Sequence, residues 1–283
     1  MSRGAGSAPP GQPSGPSNLQ VRIASAIGLL VIVLPLTWYG GAPFRLLSVG
    51  IGAAVFYEWT RMQGASLASA HRLTAAALLA IVLAFLLIGL PARIVLAALI
   101  AALAGAAIDA RLRAQGYETV VALGYAALSA ISLALLRDGD AQGLAAIALL
   151  FATVWATDIL AYFVGRALGG PKLAPSISPG KTWSGAIGGA VSATAAGTVV
   201  AHYLGGAGFG IAVICLLLSI VSQVGDLFES GIKRRHGAKD SSNLIPGHGG
   251  VMDRVDGLVA GAFALYAMGA LLGGLDQPAH GLF

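Results

Sequence analysis

Nine runs of 17 to 22 residues, each apolar and with few charges inside, decide what this chain can fold into. They fall at about 21–40, 43–60, 73–90, 92–108, 119–136, 144–165, 184–204, 208–226 and 254–274. A hydrocarbon core about 30 Å thick is crossed by roughly 20 apolar residues, because a helix satisfies its own backbone polar groups and rises about 1.5 Å per residue. The expected fold is therefore all-α: a polytopic integral membrane protein with about nine transmembrane helices. With 57% hydrophobic and 10% charged residues, an ordinary soluble domain is excluded.

A formal net charge of +5 could point to nucleic acid, but that needs basic residues gathered on one soluble face. Here they alternate from loop to loop. Fourteen of the 17 Lys and Arg fall on one side, and only Arg45, Arg93 and Arg137 on the other. The positive-inside rule then makes the N-terminus and the even-numbered loops cytoplasmic and the C-terminus external. No nucleic-acid partner is expected. Residues 1–20, rich in Gly, Pro and Ser, are expected to be a disordered cytoplasmic tail and not a secretory signal, since the first apolar run is long enough to span. Residues 21–140 then form about five N-terminal helices, and 141–283 form the C-terminal helices with the polar loops. The single cysteine, Cys215, excludes an intrachain disulfide.

The first half carries little chemistry. Glu58, Asp109 and Glu118 lie near cytoplasmic helix ends, where charge reaches water, and Trp38, Tyr39 and Trp59 read as aromatic-belt anchors. The second half differs. Asp158 sits within an apolar run, where a bare carboxylate costs roughly 2.5–3.5 kcal/mol and so requires either an ion pair, with Arg166 for example, or a polar cavity.

Residues 171–185 follow, ending in SPGKTWSG, which puts Ser178, Lys181 and Thr182 just ahead of a helix. Free N–H groups at a helix start favour phosphate, although the same residues also make a plain helix cap, and the spacing is not that of a P-loop. The richest segment is 223–257. Asp226, Glu229 and Ser230 share one helix face; Lys233, Arg234, Arg235 and Lys239 follow; then come a Gly-rich turn with His248, and Asp253, Arg254 and Asp256. Three carboxylates converging at a membrane surface repel one another unless a divalent cation or basic side chains neutralise them, and a metal holding polyphosphate meets that need.

From Ser230 through Lys233-Arg234, Lys239-Asp240, His248-Gly249-Gly250 and Asp253-Arg254 to Asp256, the residues and their spacing resemble the signature of phosphatidate cytidylyltransferases. The likeness extends upstream through Asp226 and the 171–185 loop to the Asp158 segment. It implies a reaction of CTP with phosphatidic acid at the cytoplasmic leaflet, giving CDP-diacylglycerol and pyrophosphate. It also implies Mg²⁺, as one ion or a pair, held by Asp226 and Asp253 with Asp256 as the third acid, and Lys181 beside them in catalysis. Ser230, Lys233, Arg234, Lys239, His248, Arg254, Ser178 and Thr182 become expected substrate contacts. A homodimer in a bacterial inner (plasma) membrane is expected as well.

Three other readings compete. A CDP-alcohol phosphotransferase needs D-G-x-x-A-R, whereas Gly261 follows Asp256-Gly257-Leu258-Val259-Ala260. A CTP-dependent lipid kinase would share the metal and the basic loop but release CDP. A transporter for an anionic metabolite would place ionisable groups near the bilayer midplane, whereas these acids gather at one face.

Overall fold

The computed structural model describes residues 18–64, 69–206 and 208–283, so nearly all of the expected N-terminal tail lies outside the described residues. Nine α-helices account for most of them: α1 (Asn18–Tyr39), α2 (Gly41–Met62), α3 (Ala70–Leu87), α4 (Ala92–Leu112), α5 (Glu118–Arg137), α6 (Ala141–Leu168), α7 (Trp183–Tyr203), α8 (Phe209–Arg235) and α9 (Met252–Gly273). Eight are long and apolar enough to cross a membrane. The exception, α2, has the same length as α9 but carries charge toward both ends, at Arg45, Glu58 and Arg61, whereas the three charges of α9 all fall in its first five residues.

Contacts between helix ends place α2 with the rest. On one face, Arg22 near the start of α1 donates to the Gly247 carbonyl, Glu58 near the end of α2 accepts from Val251 and Met252 N–H, and His236 just past α8 meets Glu118 at the start of α5. On the opposite face, Arg137 at the end of α5 donates to the Thr37 and Trp38 carbonyls of α1 (2.7 Å to Trp38). There too, Asp276 beyond α9 accepts from the first N–H of α4, and His280 in a terminal 3₁₀ turn, Pro278–Gly281, meets Asp140 at 2.5 Å. All these helices run between two polar faces, with α1 starting at one and the chain ending at the other.

Local chemistry sets the boundaries. Asp140 caps α6 by accepting from Gly143 N–H at 2.9 Å, and this bond, with His280 adding to it, holds the Asp140 carboxyl below the usual carboxylate range. Thr182 caps α7 in the same manner through Gly185 N–H. Small residues let α6 and α7 touch backbone to backbone: a Cβ on Gly185 would stand 2.6 Å from the Ala161 carbonyl oxygen, and one on Gly189 would stand 2.9 Å from that of Thr157. Between these helices the chain forms an antiparallel hairpin of β1 (Lys172–Ala174) and β2 (Ser178–Thr182), which pairs Lys172 with Thr182 and Ala174 with Ser178.

Three features depart from the sequence reading. Helix α8 runs nine residues past its apolar span, because the charged residues after Asp226 keep helical spacing once the helix leaves the apolar slab. Trp59 is no belt anchor. It is 2% exposed and packs edge-on against Tyr125 and Phe228, with ring centroids 5.4 and 6.1 Å away, whereas Trp38 and Tyr39 remain exposed. Glu58 does not reach water at all. One apolar core, from Phe44 on α2 to Leu282, joins the two halves of the chain.

Cys215 is fully buried and will stay silent to impermeant thiol reagents. Arg235→Cys and Gln277→Cys, both at exposed positions, should therefore label from opposite sides of sealed vesicles. Labelling of both from one side would mean that an even number of crossings separates them.

Candidate active site

The end of α8, the start of α9 and the β1–β2 hairpin meet on the face that carries the long 236–251 segment. The hairpin delivers Lys181 to Asp226, whose Oδ2 takes the ammonium; its Oδ1 accepts from Ser230 one turn on, at 3.3 Å. Another turn along α8, Lys233 donates to Glu229 Oε1 at 3.0 Å and crosses to Asp253 Oδ1 on α9 at 2.7 Å. These three side chains are 12%, 0% and 4% exposed, so one ammonium serves two acids out of water. Glu229 Oε2 has no hydrogen-bond partner among the described residues. Removing one partner of such a buried pair costs about 3–5 kcal/mol, because the other charge is left uncompensated.

Asp253 is held firmly. Its Oδ2 accepts from Ser241 N–H (2.9 Å), Ser241 Oγ (3.0 Å) and Gly250 N–H (2.8 Å), which folds the segment back onto the first turn of α9. Glu58 completes this arrangement from below. It is fully buried; Oε1 accepts from Ser242 Oγ (2.6 Å) and Val251 N–H (2.8 Å), and Oε2 from Ser241 Oγ (3.0 Å) and Met252 N–H (2.7 Å). A carboxylate from a distant helix thus satisfies the free N–H groups at the start of α9, where the helix dipole favours negative charge.

Beside the Lys181–Asp226 pair opens a cleft of about 680 Å³ between α6, the hairpin, α7 and α8. Asp158, Arg166, Lys172, Ser178, Lys181 and Asp226 line it. Asp158 does not pair with Arg166, which donates to Tyr162 Oη at 3.1 Å; it stands instead within electrostatic reach of Asp226 and Lys181. The cleft is therefore edged by cations and acids, as a polyphosphate with a counter-ion requires.

The sequence-derived residues divide into groups. Asp226, Lys181, Ser178 and Thr182 line the cleft, and Ser230 adjoins it through its bond to Asp226, whereas Lys233 and Asp253 bond each other and lie outside the lining. Asp256 lies within electrostatic reach of Asp226, and its Oδ1 accepts from Gly257 N–H at 2.8 Å. Among the described residues, no three His, Cys, Asp or Glu side chains group closely enough to hold an ion by themselves. Thr182 is occupied as the α7 cap and is 7% exposed. Arg234 donates to the Ile177 carbonyl (3.3 Å), tying hairpin to helix, and Lys239 is exposed. His248 Nδ1 meets Ser25 Oγ of α1 at 2.7 Å, and Arg254 donates to the His248 carbonyl at 2.9 Å. Glu58 and Glu229 carry more of the architecture than the sequence reading gave them. For Glu58 the signal was present: a carboxylate inside an apolar run needs a partner, the reasoning that singled out Asp158.

The family model for the cytidylyltransferase family matches residues 20–272. The phosphatidate cytidylyltransferase of Brucella suis biovar 1 (strain 1330) is 51% identical over 263 residues, 93% of this chain and 97% of that protein. That of Bacillus subtilis (strain 168) is 32% identical over 276 residues, covering 90% and 98%. That of Haemophilus influenzae (strain ATCC 51907 / DSM 11121 / KW20 / Rd) is 48% identical over 125 residues, or 42% of this chain. With a match across nearly its whole length and the acid–lysine cluster inside it, the chain belongs to the cytidylyltransferase family.

Proposed function

We propose that this chain is a phosphatidate cytidylyltransferase: it transfers CMP from CTP to phosphatidic acid and releases pyrophosphate. One observation carries the reading beyond family membership. Lys181 and Asp226 stand at the edge of a cleft that also presents Arg166, Lys172 and Ser178, on the face bearing the family-like segment.

The chemistry asks little of a general base. A phosphate monoester has a second pKa of about 6, so the lipid phosphate is largely a dianion at neutral pH and can attack the α-phosphorus of CTP directly. Catalysis then consists of positioning and of neutralising charge on the departing pyrophosphate. Lys181 and Lys172 on the hairpin, with Arg166 at the end of α6, offer cations to the triphosphate. Lys233 keeps Asp253 and Glu229 in place behind them, and Glu58 fixes the first turn of α9, so the acids do not drift when charge changes in front of them.

Mg²⁺ suits this donor set. It takes hard oxygen ligands, and it uses one or two carboxylates with substrate phosphates more often than an all-protein cage. Asp226 Oδ2 bonds Lys181 and no other group, so an ion held there would free the Lys181 ammonium for phosphate, with Asp253 and Asp256 as the further acids on α9. When bound, the ion would supply Lewis-acid stabilisation of the phosphoryl oxygens. The basic loops support placing this face in the cytoplasm, where CTP is dissolved, and the C-terminus outside. The resemblance also supports a homodimer and a bacterial inner membrane.

Purified protein given radiolabelled CTP, phosphatidic acid and Mg²⁺ should release pyrophosphate and form CDP-diacylglycerol; release of CDP, or equal turnover with ATP, would sink the assignment in favour of a kinase. Asp226→Asn and Asp253→Asn should each lower turnover at least about 100-fold, near 2.7 kcal/mol of barrier, and a normal rate in either would remove that acid from the mechanism.

Glu58→Ala strips acceptors from two buried N–H groups, each worth about 1–3 kcal/mol when left unsatisfied. Its thermal midpoint and its turnover should fall together, with Glu58→Gln falling less. An Ala variant as stable and active as the parent would show that α9 does not need this anchor.

A further inference from the structure

Between α1, α2, α6 and α9 lies a groove of about 390 Å³ that shares no residue with the cleft at Lys181. Its walls are apolar, including Leu30 and Leu34 on α1, Leu47 on α2, Trp155 on α6 and Leu258 on α9. One charged side chain lines it, Arg254. The groove lies across α9 from the acids: Asp253 reaches over to Lys233 on α8, while Val251, Arg254, Val255 and Leu258 turn toward α1 and α2.

A second arginine is fixed beside the first. Arg22 Nε donates to the Gly247 carbonyl at 3.0 Å and Arg254 Nε to the carbonyl of His248 at 2.9 Å, so two adjacent carbonyls hold both guanidinium groups at one edge. Both side chains are exposed, and among the described residues no carboxylate pairs with either. Unpaired guanidinium forks suit the oxygens of a phosphate. From Arg22 to Leu34 the helix descends about 18 Å at 1.5 Å per residue, close to the roughly 15 Å depth of one leaflet. The groove therefore has two cations at the membrane surface and an apolar trough that runs from them through the nearer leaflet and on toward Phe44. Gly50 on α2 widens it, since a Cβ built there would meet nothing within 4 Å.

We infer that this groove is a second lipid site, which binds an anionic phospholipid of the leaflet on the loop face, its phosphate on Arg22 and Arg254 and an acyl chain along α1 and α2. The surrounding solvent is lipid, so an apolar trough open to it fills with a chain, and the arginines select among headgroups by charge. The bound headgroup would bridge α1 to the 236–251 segment, which α1 already touches through Arg22 and through Ser25 on His248.

Native mass spectrometry of the full-length protein in detergent, with no CTP present, tests this with phosphatidylglycerol and phosphatidylcholine of identical acyl chains. Phosphatidylglycerol should be retained about thirty-fold better, as two cations beside an anionic headgroup provide. The Arg22→Gln/Arg254→Gln double variant should lose that preference, and Gly50→Leu, which fills open space, should reduce retention of both lipids. Equal retention of the two lipids by the parent protein would overturn the inference, as would a monodisperse Gly50→Leu protein that retains phosphatidylglycerol like the parent. If Gly50→Leu instead splits a dimer and leaves lipid retention unchanged, the groove belongs to a second copy of the chain and the inference fails. Should Gly50→Leu not fold, the double arginine variant decides alone. None of these readouts depends on cytidylyl transfer, so the two readings fail separately.

Discussion

Four hydrogen bonds to one carboxylate hold the polar face of this molecule together. Glu58 reaches from α2 beneath the 236–251 segment and accepts from Ser241, Ser242, Val251 and Met252. Without that acceptor the first N–H groups of α9 would be buried and unsatisfied, and the turn at Gly250, which carries the N–H donated to Asp253, would lose its floor. A Cβ on Gly250 would press into Ser241 Oγ and Glu58 itself, so the close approach is possible only for glycine. The N-terminal half, which carries no signature of its own, therefore supplies the anchor on which the signature segment folds.

The same economy governs the charges. Carboxylates at the boundary of an apolar slab are tolerable only when each has a partner, and here the partners are ammonium groups: Lys181 for Asp226, and Lys233 for both Glu229 and Asp253. Because Lys233 comes from the same helix as Glu229 and bonds an acid on the next, it also fixes the approach of α8 to α9. That approach is close: a Cβ on Gly225 would overlap the methyl group of Ala260. Electrostatics and small-residue packing set the same spacing between the helices.

Much of this was legible in the sequence. The nine helices followed from apolar run length, and the opposed ends of the chain from the distribution of Lys and Arg. The pairing of α8 with α9 around Asp226 and Asp253 was visible as two acid clusters separated by a turn-rich segment. What remained hidden was direction. Asp253, Arg254 and Asp256 are neighbours in sequence, yet α9 turns Asp253 toward Lys233 and Arg254 toward α1, a division that depends on how the helix is rotated against its neighbours. Nor did the sequence show the structural bonds that Thr182 and His248 make, Thr182 Oγ1 capping α7 at Gly185 and His248 Nδ1 meeting Ser25 on α1. The hairpin at 172–182 escaped because five residues of Ser, Pro, Gly, Lys and Thr carry no strand periodicity; tertiary contact, through Arg234 on Ile177, holds it.

The glycine contacts between α6 and α7 have a mechanical consequence. Both strands of the hairpin are rooted in these two helices, and the helices touch through bare backbone at Gly185 and Gly189. The pair behaves as one stiff beam with the hairpin as its tip, and Lys181 is mounted on that tip. A side chain wedged in at either glycine would not stay a local packing fault, because prying the beam apart at its root tilts the tip and swings the ammonium off Asp226. Two positions in the first turns of α7, without side chains of their own, thereby set the aim of a cation at the water's edge.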